Sequence, residues 1–599
     1  MNQYTFHCES RDYSSYSFTP ALPDGSPLIC DALLLRLFDG DILDVFQDVS
    51  AGSVKLCHSP IRGGQPIYGT LILQGNRTYG RTKSKLFYQC IPYQRNLPIF
   101  LVPYDSPTAS HSKYVRNRFV AFEFREWKDK HPIGTLTRTF GDANSYDAFT
   151  EFSLYSHGLM SSITALNKHC VSSVGADETA WSRITEELLK THHRIEDRRS
   201  ETVISIDPIG CVDIDDAFSI RRTDTTLTLS IYIANVPMVL DIIGAWEYLS
   251  ERTSTVYLPQ SRVPMLPTIL SDNICSLLQE KERLAIAFDF SIPLGDTSTD
   301  SIASSTIVSP CIIRVSNNYH YDDVGVISHP TYRDACEFIE HASREKTSDT
   351  HRTIEWMMIE VNKWVADWCI AHGRGVVRGL TLTKPDISRD AAPPECLIDT
   401  ATPEFRTFLQ SWNTQGGEYT LIDAEHAVTT PIHSLIGHHY THASSPIRRI
   451  VDLINLTLLQ HDGGFLSHQA GVFLANWMTP TKVHWIQEKS KEIRRVQNDC
   501  TLMWLMSEHN DSSRDTLLSS EFRGVIMSAD VEHHRGESGW EYTVYVFELK
   551  RAFHYWSADA LPLWWSGHFK FYVFDDADRM NQKLRIRHIN TTAVTSSLN

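Results

Sequence analysis

"SIDPIGCVDIDDAFSI", residues 205–220, sets Asp207, Asp213, Asp215 and Asp216 within ten positions of an otherwise apolar, strand-like stretch. Pro208 and Gly210 break the chain between the first acid and the other three. In an extended segment Asp213 and Asp215 share a face, because side chains alternate with period two. Asp216 needs a bend to join them, and Asp207 approaches from across the turn. Carboxylates this close repel, and one of their pKa values rises unless a cation compensates. An all-oxygen donor set suits Mg²⁺ or Mn²⁺ rather than zinc. A calcium loop of the EF-hand kind fails: counted from Asp207, Val212 stands where Gly is needed and Phe218 where Glu is needed. A solvated acidic turn is the plainer alternative, but Val212, Ile214, Ala217, Phe218 and Ile220 between the charges argue against it.

The chain around this stretch has 599 residues, enough for roughly four domains. Hydrophobic residues make up 42% and charged residues 21%, so a sizeable core can form. No apolar run reaches the length of a membrane-spanning helix. The start "MNQYTFHCESRDYSSY" has neither the basic nor the apolar region of a secretory signal. An intracellular, membrane-free protein is the expectation. Twelve cysteines without a C-x-x-C pair fit a reducing compartment. With 56 basic against 72 acidic residues, net −16, nucleic acid would have to be handled in a local basic channel. No dinucleotide cofactor is expected.

Along the chain, residues 1–51 form an N-terminal extension in which "CDALLLRLFDGDILDVFQDV" (30–49) suggests one or two short helices. Short alternating runs split by Gly and Pro then suggest two small barrels, at 52–105 and 106–175. A mixed segment, 176–515, carries long helices at 353–372, 444–460 and 485–506. The second of these starts with Ser at an N-cap and Pro in the first turn. Strands return at 516–592 as a third barrel, and a polar tail closes the chain at 593–599.

The aspartate stretch resembles the signature of the RNB (RNase II) exoribonucleases, T-I-D-P-x-x-A-x-D-x-D-D-A, with Cys211 in place of alanine. "TSTVYLPQSRVPMLPTILSDNICSLLQEKERLAIAF" (253–288), "NYHYDDV" (318–324) and "HHYTHASSPIRRIVDLINL" (438–456) are similar to further blocks of that family, in order. "GTLILQGN" and "FREWKDKHPIGTLTRTFGD" are similar to the cold-shock-type barrels of its eukaryotic exosome branch.

The resemblance implies an α+β multi-domain protein, a central mixed α/β RNB catalytic domain flanked by small OB-fold barrels. It implies 3′→5′ hydrolysis of single-stranded RNA to nucleoside 5′-monophosphates by a two-metal-ion mechanism. Asp207, Asp213, Asp215 and Asp216 would hold Mg²⁺ (or Mn²⁺), with Asp215 the least replaceable, and Arg448 would face the scissile phosphate. Arg449 would contact phosphate or seal its helix, Tyr257 would pack on terminal bases, and Tyr321 with Glu355 would read the ribose. Membership of an RNA-processing complex comes with the resemblance. Two departures stand out: Asn235 where the family has aspartate, and a shortened interval between Val324 and Ile354. They motivate a second reading, a catalytically degenerate RNB-fold RNA-binding subunit. His433, His438, His439 and His442 read as structural or channel-lining rather than as a zinc cluster.

Overall fold

The computed structural model describes residues 2–22, 28–45, 54–75, 77–82, 85–105, 116–174, 178–294, 306–344, 349–379, 417–422, 432–433, 436–507, 517–534, 537–549, 551–562, 564–576 and 581–589. The expected tail at 593–599 lies outside them. Among the described residues, those up to 159 and those from 496 make one compact unit, and those from 160 to 495 another.

In the first unit the N-terminal residues pair as strands. Asn2–Cys8, Tyr16–Pro20, Ile42–Val45 and Val54–His58 form an antiparallel four-stranded sheet. The leucine-rich stretch expected to be helical instead turns at 32–36 and enters the strand Ile42–Val45, leaving Leu33 and Leu34 exposed. The physical reason lies at Asp41. Its fully buried carboxylate accepts from the Phe38 N–H at 2.9 Å, Ser59 Oγ at 2.5 Å and Arg62 Nη1 at 2.6 Å. A charge is tolerated in the interior only with such partners. The turn leading to it also puts Gly40 at φ +79°, outside any helix.

The barrels expected at 52–105 and 106–175 are drawn differently as well. Ile67–Leu71, Leu86–Pro92, Phe100–Tyr104, Arg118–Glu126 and Ile133–Asp142 close into one five-stranded barrel, so the expected boundary falls inside it. After residue 145 the chain is helical (Tyr146–Ser156). Short alternating runs identify strands but not their partners, and that is where the reading slipped. Over 516–592, Phe522–His534, Glu537–Val546, Arg551–Ser557, Ser566–Asp576 and Asn581–His588 form a five-stranded antiparallel sheet.

The second unit is the mixed α/β part of this α+β chain. Its sheet runs in the order Glu196–Asp197, Ile307–His320, Val203–Asp207, Asp216–Arg222, Thr226–Ala234, Glu282–Pro293. Ile307–His320 pairs antiparallel with Glu282–Pro293 through residues 307–314 and parallel with Val203–Asp207 through 315–320, so the sheet curls back on itself. Both faces are covered, and the strands alternate between them. Ala217, Tyr232, Ala234, Ala285 and Ala287 share a core with the helix Ile450–Asp462. Phe218, Ile231, Ile233, Ile286 and Phe288 share the other core with the helices Pro330–Ser343 and Thr350–Ala371. Burying a side chain such as Phe288 contributes about 1.5–3 kcal/mol.

The expected helix at 353–372 is Thr350–Ala371, begun by an Asp349 side chain that accepts the His351 N–H at 2.9 Å. The one expected at 444–460 starts later, at Ile450. Residues 444–449 are held out of the helix: the Ile447 N–H donates to Asp215, and the Arg448 carbonyl accepts from the Thr255 N–H at 3.0 Å and Ser254 Oγ at 2.8 Å.

Asn235 caps the helix Val236–Ile242 by accepting the Met238 N–H at 3.1 Å. The same amide makes a reciprocal pair with Gln460, 2.9 Å in each direction, with both side chains buried. An aspartate here would keep the cap but lose the donor to Gln460 and bury a charge. Asn235→Asp should therefore lower the unfolding free energy by about 1–3 kcal/mol, read as a lower urea midpoint at unchanged m-value.

Candidate active site

The aspartate stretch folds as strand, turn, strand. Asp207 ends Val203–Asp207 and Asp216 begins Asp216–Arg222. Between them the Cys211 N–H donates to the Pro208 carbonyl at 3.1 Å, with Gly210 at φ +79° in the position that a type II turn reserves for glycine. The loop is then pinned from behind. Ser276 Oγ donates to the Val212 carbonyl (2.8 Å) and accepts the Ile214 N–H (3.0 Å), while the Leu277 N–H donates to the Ile214 carbonyl (3.0 Å). Ser276 is itself held by Arg283, a buried arginine whose Nε donates to the Ser276 carbonyl at 2.9 Å.

The four carboxylates do not share one job. Asp213 is buried and fully engaged: Oδ1 lies 3.0 Å from Arg262 Nη1, and Oδ2 accepts the Tyr257 hydroxyl at 2.7 Å. Tyr257 and Arg262 are paired residues of the hairpin Val256–Tyr257 and Arg262–Val263, and Arg262 also contacts Asp272 at 2.5 Å. Asp215 is likewise engaged, Oδ1 by the Ile447 N–H and Oδ2 by Arg448 Nε, each at 2.9 Å. The face expected to be common to Asp213 and Asp215 is thus split between two cationic partners, because residues 211–215 are not extended strand.

Asp207 and Asp216 have no arginine or lysine bonded to them among the described residues. Asp207 accepts Ser205 Oγ at 2.7 Å. Desolvation pushes Asp207 up to about 6, against the pull of that hydrogen bond and of Arg448. Desolvation, then Asp207 and Asp215, push Asp216 well above the usual carboxylate range. This pair is where a cation would relieve the most repulsion. Among the described residues no three His, Cys, Asp or Glu side chains converge as ligands for one metal ion.

The remaining expected residues fall as follows. Arg448 is clamped by Asp215 and donates through Nη2 to Ser445 Oγ at 3.0 Å, while its side chain stays 41% exposed. Its Nη1 has no partner among the described residues, so the fork is fixed and one donor pair points free. Arg449 donates through Nη2 to Asp452 at 2.8 Å. The Tyr321 N–H donates to the Asp207 carbonyl at 3.3 Å, and its ring stacks on His351. Glu355 is exposed on the same helix, one turn beyond His351.

Sequence reasoning missed Arg262, Ser276, Arg283 and His351. Arg262 lies inside a quoted block, but nothing in the sequence says which acid it meets.

Of the histidines, His433 and His442 are buried. His442 sits between Arg378 Nη1 (2.9 Å) and the Tyr419 hydroxyl (2.6 Å). Desolvation first, then Arg449 and Arg378, hold it far below the ordinary histidine range.

Residues 195–337 match the RNB domain model. A DIS3-like exonuclease 2 of Schizosaccharomyces pombe is 29% identical over 208 residues, 33% of this chain and 22% of that protein. An exosome complex exonuclease RRP44 of Mus musculus is 33% identical over 174 residues, 29% of this chain and 17% of that protein. The chain thus spans about a fifth of the length of these curated relatives. Among solved structures, Mycoplasma genitalium RNase R in complex with ribose methylated single-stranded RNA matches with a TM-score of 0.61 at 17% identity, covering 98% of this chain and 100% of that one. Yeast Ssd1, described as a pseudonuclease, matches with a TM-score of 0.53 at 14% identity, covering 95% and 80%. The chain thus carries an RNB domain at residues 195–337.

The buried histidines generate a pH prediction. Both have folded pKa values below the unfolded value of about 6.5, His433 at about 4. At these two sites the folded state therefore binds fewer protons, and their contribution to stability is complete above about 6.5 and falls as pH drops below it. The raised carboxyls of Asp207, Asp215 and Asp216 act in the opposite sense over the same range, so the histidine contribution is read as a difference: in urea unfolding between pH 8 and 4 the parent should lose stability relative to His442→Gln as pH falls.

Proposed function

We propose that this protein is a divalent-metal-dependent exoribonuclease that hydrolyses single-stranded RNA from its 3′ end and releases nucleoside 5′-monophosphates. The observation that carries the reading is the division of the acid quartet. Two carboxylates are bound by the protein's own arginines, and two repel each other, are raised in pKa and have no arginine or lysine bonded to them among the described residues. Asp207 and Asp216 would hold the ion, Mg²⁺ or Mn²⁺, and their hard oxygen donors fit it. The bound ion supplies charge to a phosphate oxygen and acidity to a water. A two-ion site would additionally require Asp213 and Asp215 to leave their present partners.

The chain's own residues do the rest. Arg448, fixed by Asp215 and Ser445, presents Nη1 to a non-bridging phosphate oxygen and stabilises charge that builds as water attacks. The P–O3′ bond breaks, the 5′-phosphate stays with the released nucleotide, and the shortened strand keeps a 3′-hydroxyl. Tyr257, an exposed residue whose hydroxyl is tied to Asp213, offers a ring for base stacking. Tyr321, whose N–H donates to the Asp207 carbonyl, would read the ribose. The names of the relatives, exonucleases and ribonuclease R, support this chemistry.

A second reading, RNA binding without turnover, is favoured by the lack of three convergent metal ligands among the described residues. The likeness to a pseudonuclease is a likeness of fold.

A 5′-labelled single-stranded RNA incubated with the full chain and Mg²⁺ separates the two. The enzyme gives a stepwise ladder that EDTA and Asp216→Asn abolish, and Arg448→Ala lowers kcat by about 10²–10³-fold. Tight binding without shortening in Mg²⁺ or Mn²⁺ would leave the scaffold reading in its place.

A further inference from the structure

Tyr321 follows directly on the strand Ile307–His320, with its N–H donating to the Asp207 carbonyl. Its ring lies on the imidazole of His351, with centroids 3.8 Å apart and planes within 12°. Both partners are set by the first turn of Thr350–Ala371. Thr350 Oγ1 donates to the Tyr321 carbonyl at 2.9 Å, and Asp349 fixes the backbone of His351. One face of the tyrosine is therefore covered by a protein ring and is closed to a nucleobase. The ring also packs against the core that contains Phe338 and Ile354, and its hydroxyl lies in the field of Asp216 and Asp207.

We propose that His351 is a positioning residue for Tyr321: by stacking on the ring it aims the hydroxyl at the 2′-OH of the substrate strand and so sets the preference for RNA over DNA. This rests on the nuclease reading above and refines it. A hydroxyl held at one point can accept from or donate to a ribose 2′-OH, and deoxyribose offers it nothing. A swinging ring would spread that contact over many orientations. An aromatic stack beyond simple area burial is worth roughly a two- to tenfold change in an equilibrium. Imidazole suits the place because it is flat and tolerates exposure, and His351 is exposed.

The test compares oligoribonucleotide and oligodeoxyribonucleotide of one sequence with the full chain, by binding in EDTA and by kcat/KM in Mg²⁺. His351→Ala keeps the backbone N–H that Asp349 accepts, so the helix start is preserved; its melting curve should match the parent. The variant should lose roughly two- to tenfold in the RNA-to-DNA ratio, through weaker handling of RNA with DNA unchanged. His351→Phe, which can stack but carries no ring nitrogen, should restore the ratio, and Tyr321→Phe should lose it whichever residue stands at 351. An unchanged ratio in His351→Ala overturns the inference while leaving a nuclease standing, and so does a loss that phenylalanine fails to rescue. A parent chain that neither binds nor shortens RNA overturns both.

Discussion

The carboxylate of Asp215 joins two segments more than two hundred residues apart, and the site is organised around that junction. One oxygen takes the backbone of Ile447 and the other the guanidinium of Arg448. Residues 444–449 are kept from winding into the following helix by this grip and by the Thr255 and Ser254 contacts behind Arg448. Burial outweighs the arginine's pull, since the Asp215 pKa rises to about 7 in spite of it. Attraction alone would not seat the charge here; the covalent frame of the curled sheet does. Removing one partner of a buried pair costs about 3–5 kcal/mol, far more than removing one partner of an exposed pair.

Repulsion among the four acids is resolved by different means at different positions. Asp213 meets Arg262 and a phenol; Asp215 meets Arg448 and an amide. Those bonds hold a hairpin and a loop in place, and they also draw two negative charges away from the pair that remains. A cation arriving at Asp207 and Asp216 would then face a local charge it can neutralise, instead of four acids that one ion cannot satisfy. Ser276 and Arg283 matter for the same reason. They hold the loop through the backbone of Val212 and Ile214, without using any of the four carboxylates.

How much of this could be read from the sequence follows from the range of each interaction. The acid spacing, the Pro–Gly turn and the long helix at 350–371 are local, and their patterns were legible. The contacts that give the acids their separate roles join residue 213 to 262, 215 to 448 and 321 to 351, and periodicity is silent about them. The N-terminal stretch shows the opposite failure. Its leucines have a helical spacing, but Asp41 and its arginine draw the chain into a strand, a tertiary constraint overriding a local preference. The same limit applies to the barrels, where strands were recognised but their partners were not.

Asn235 bears on which reading the site deserves. As a bare departure from a family pattern it counts toward lost chemistry. In the structure its side chain bonds Met238 and Gln460 and is wholly buried between a sheet and a helix. An amide there is matched to an amide opposite, a complementary pair with every hydrogen-bonding group used. That is what a packing exchange looks like, since decay of a site leaves a polar group without its partner. Position 235 therefore carries no weight for or against turnover. The question contracts to the pair at 207 and 216 and to the free edge of Arg448, where an ion and a phosphate would have to meet.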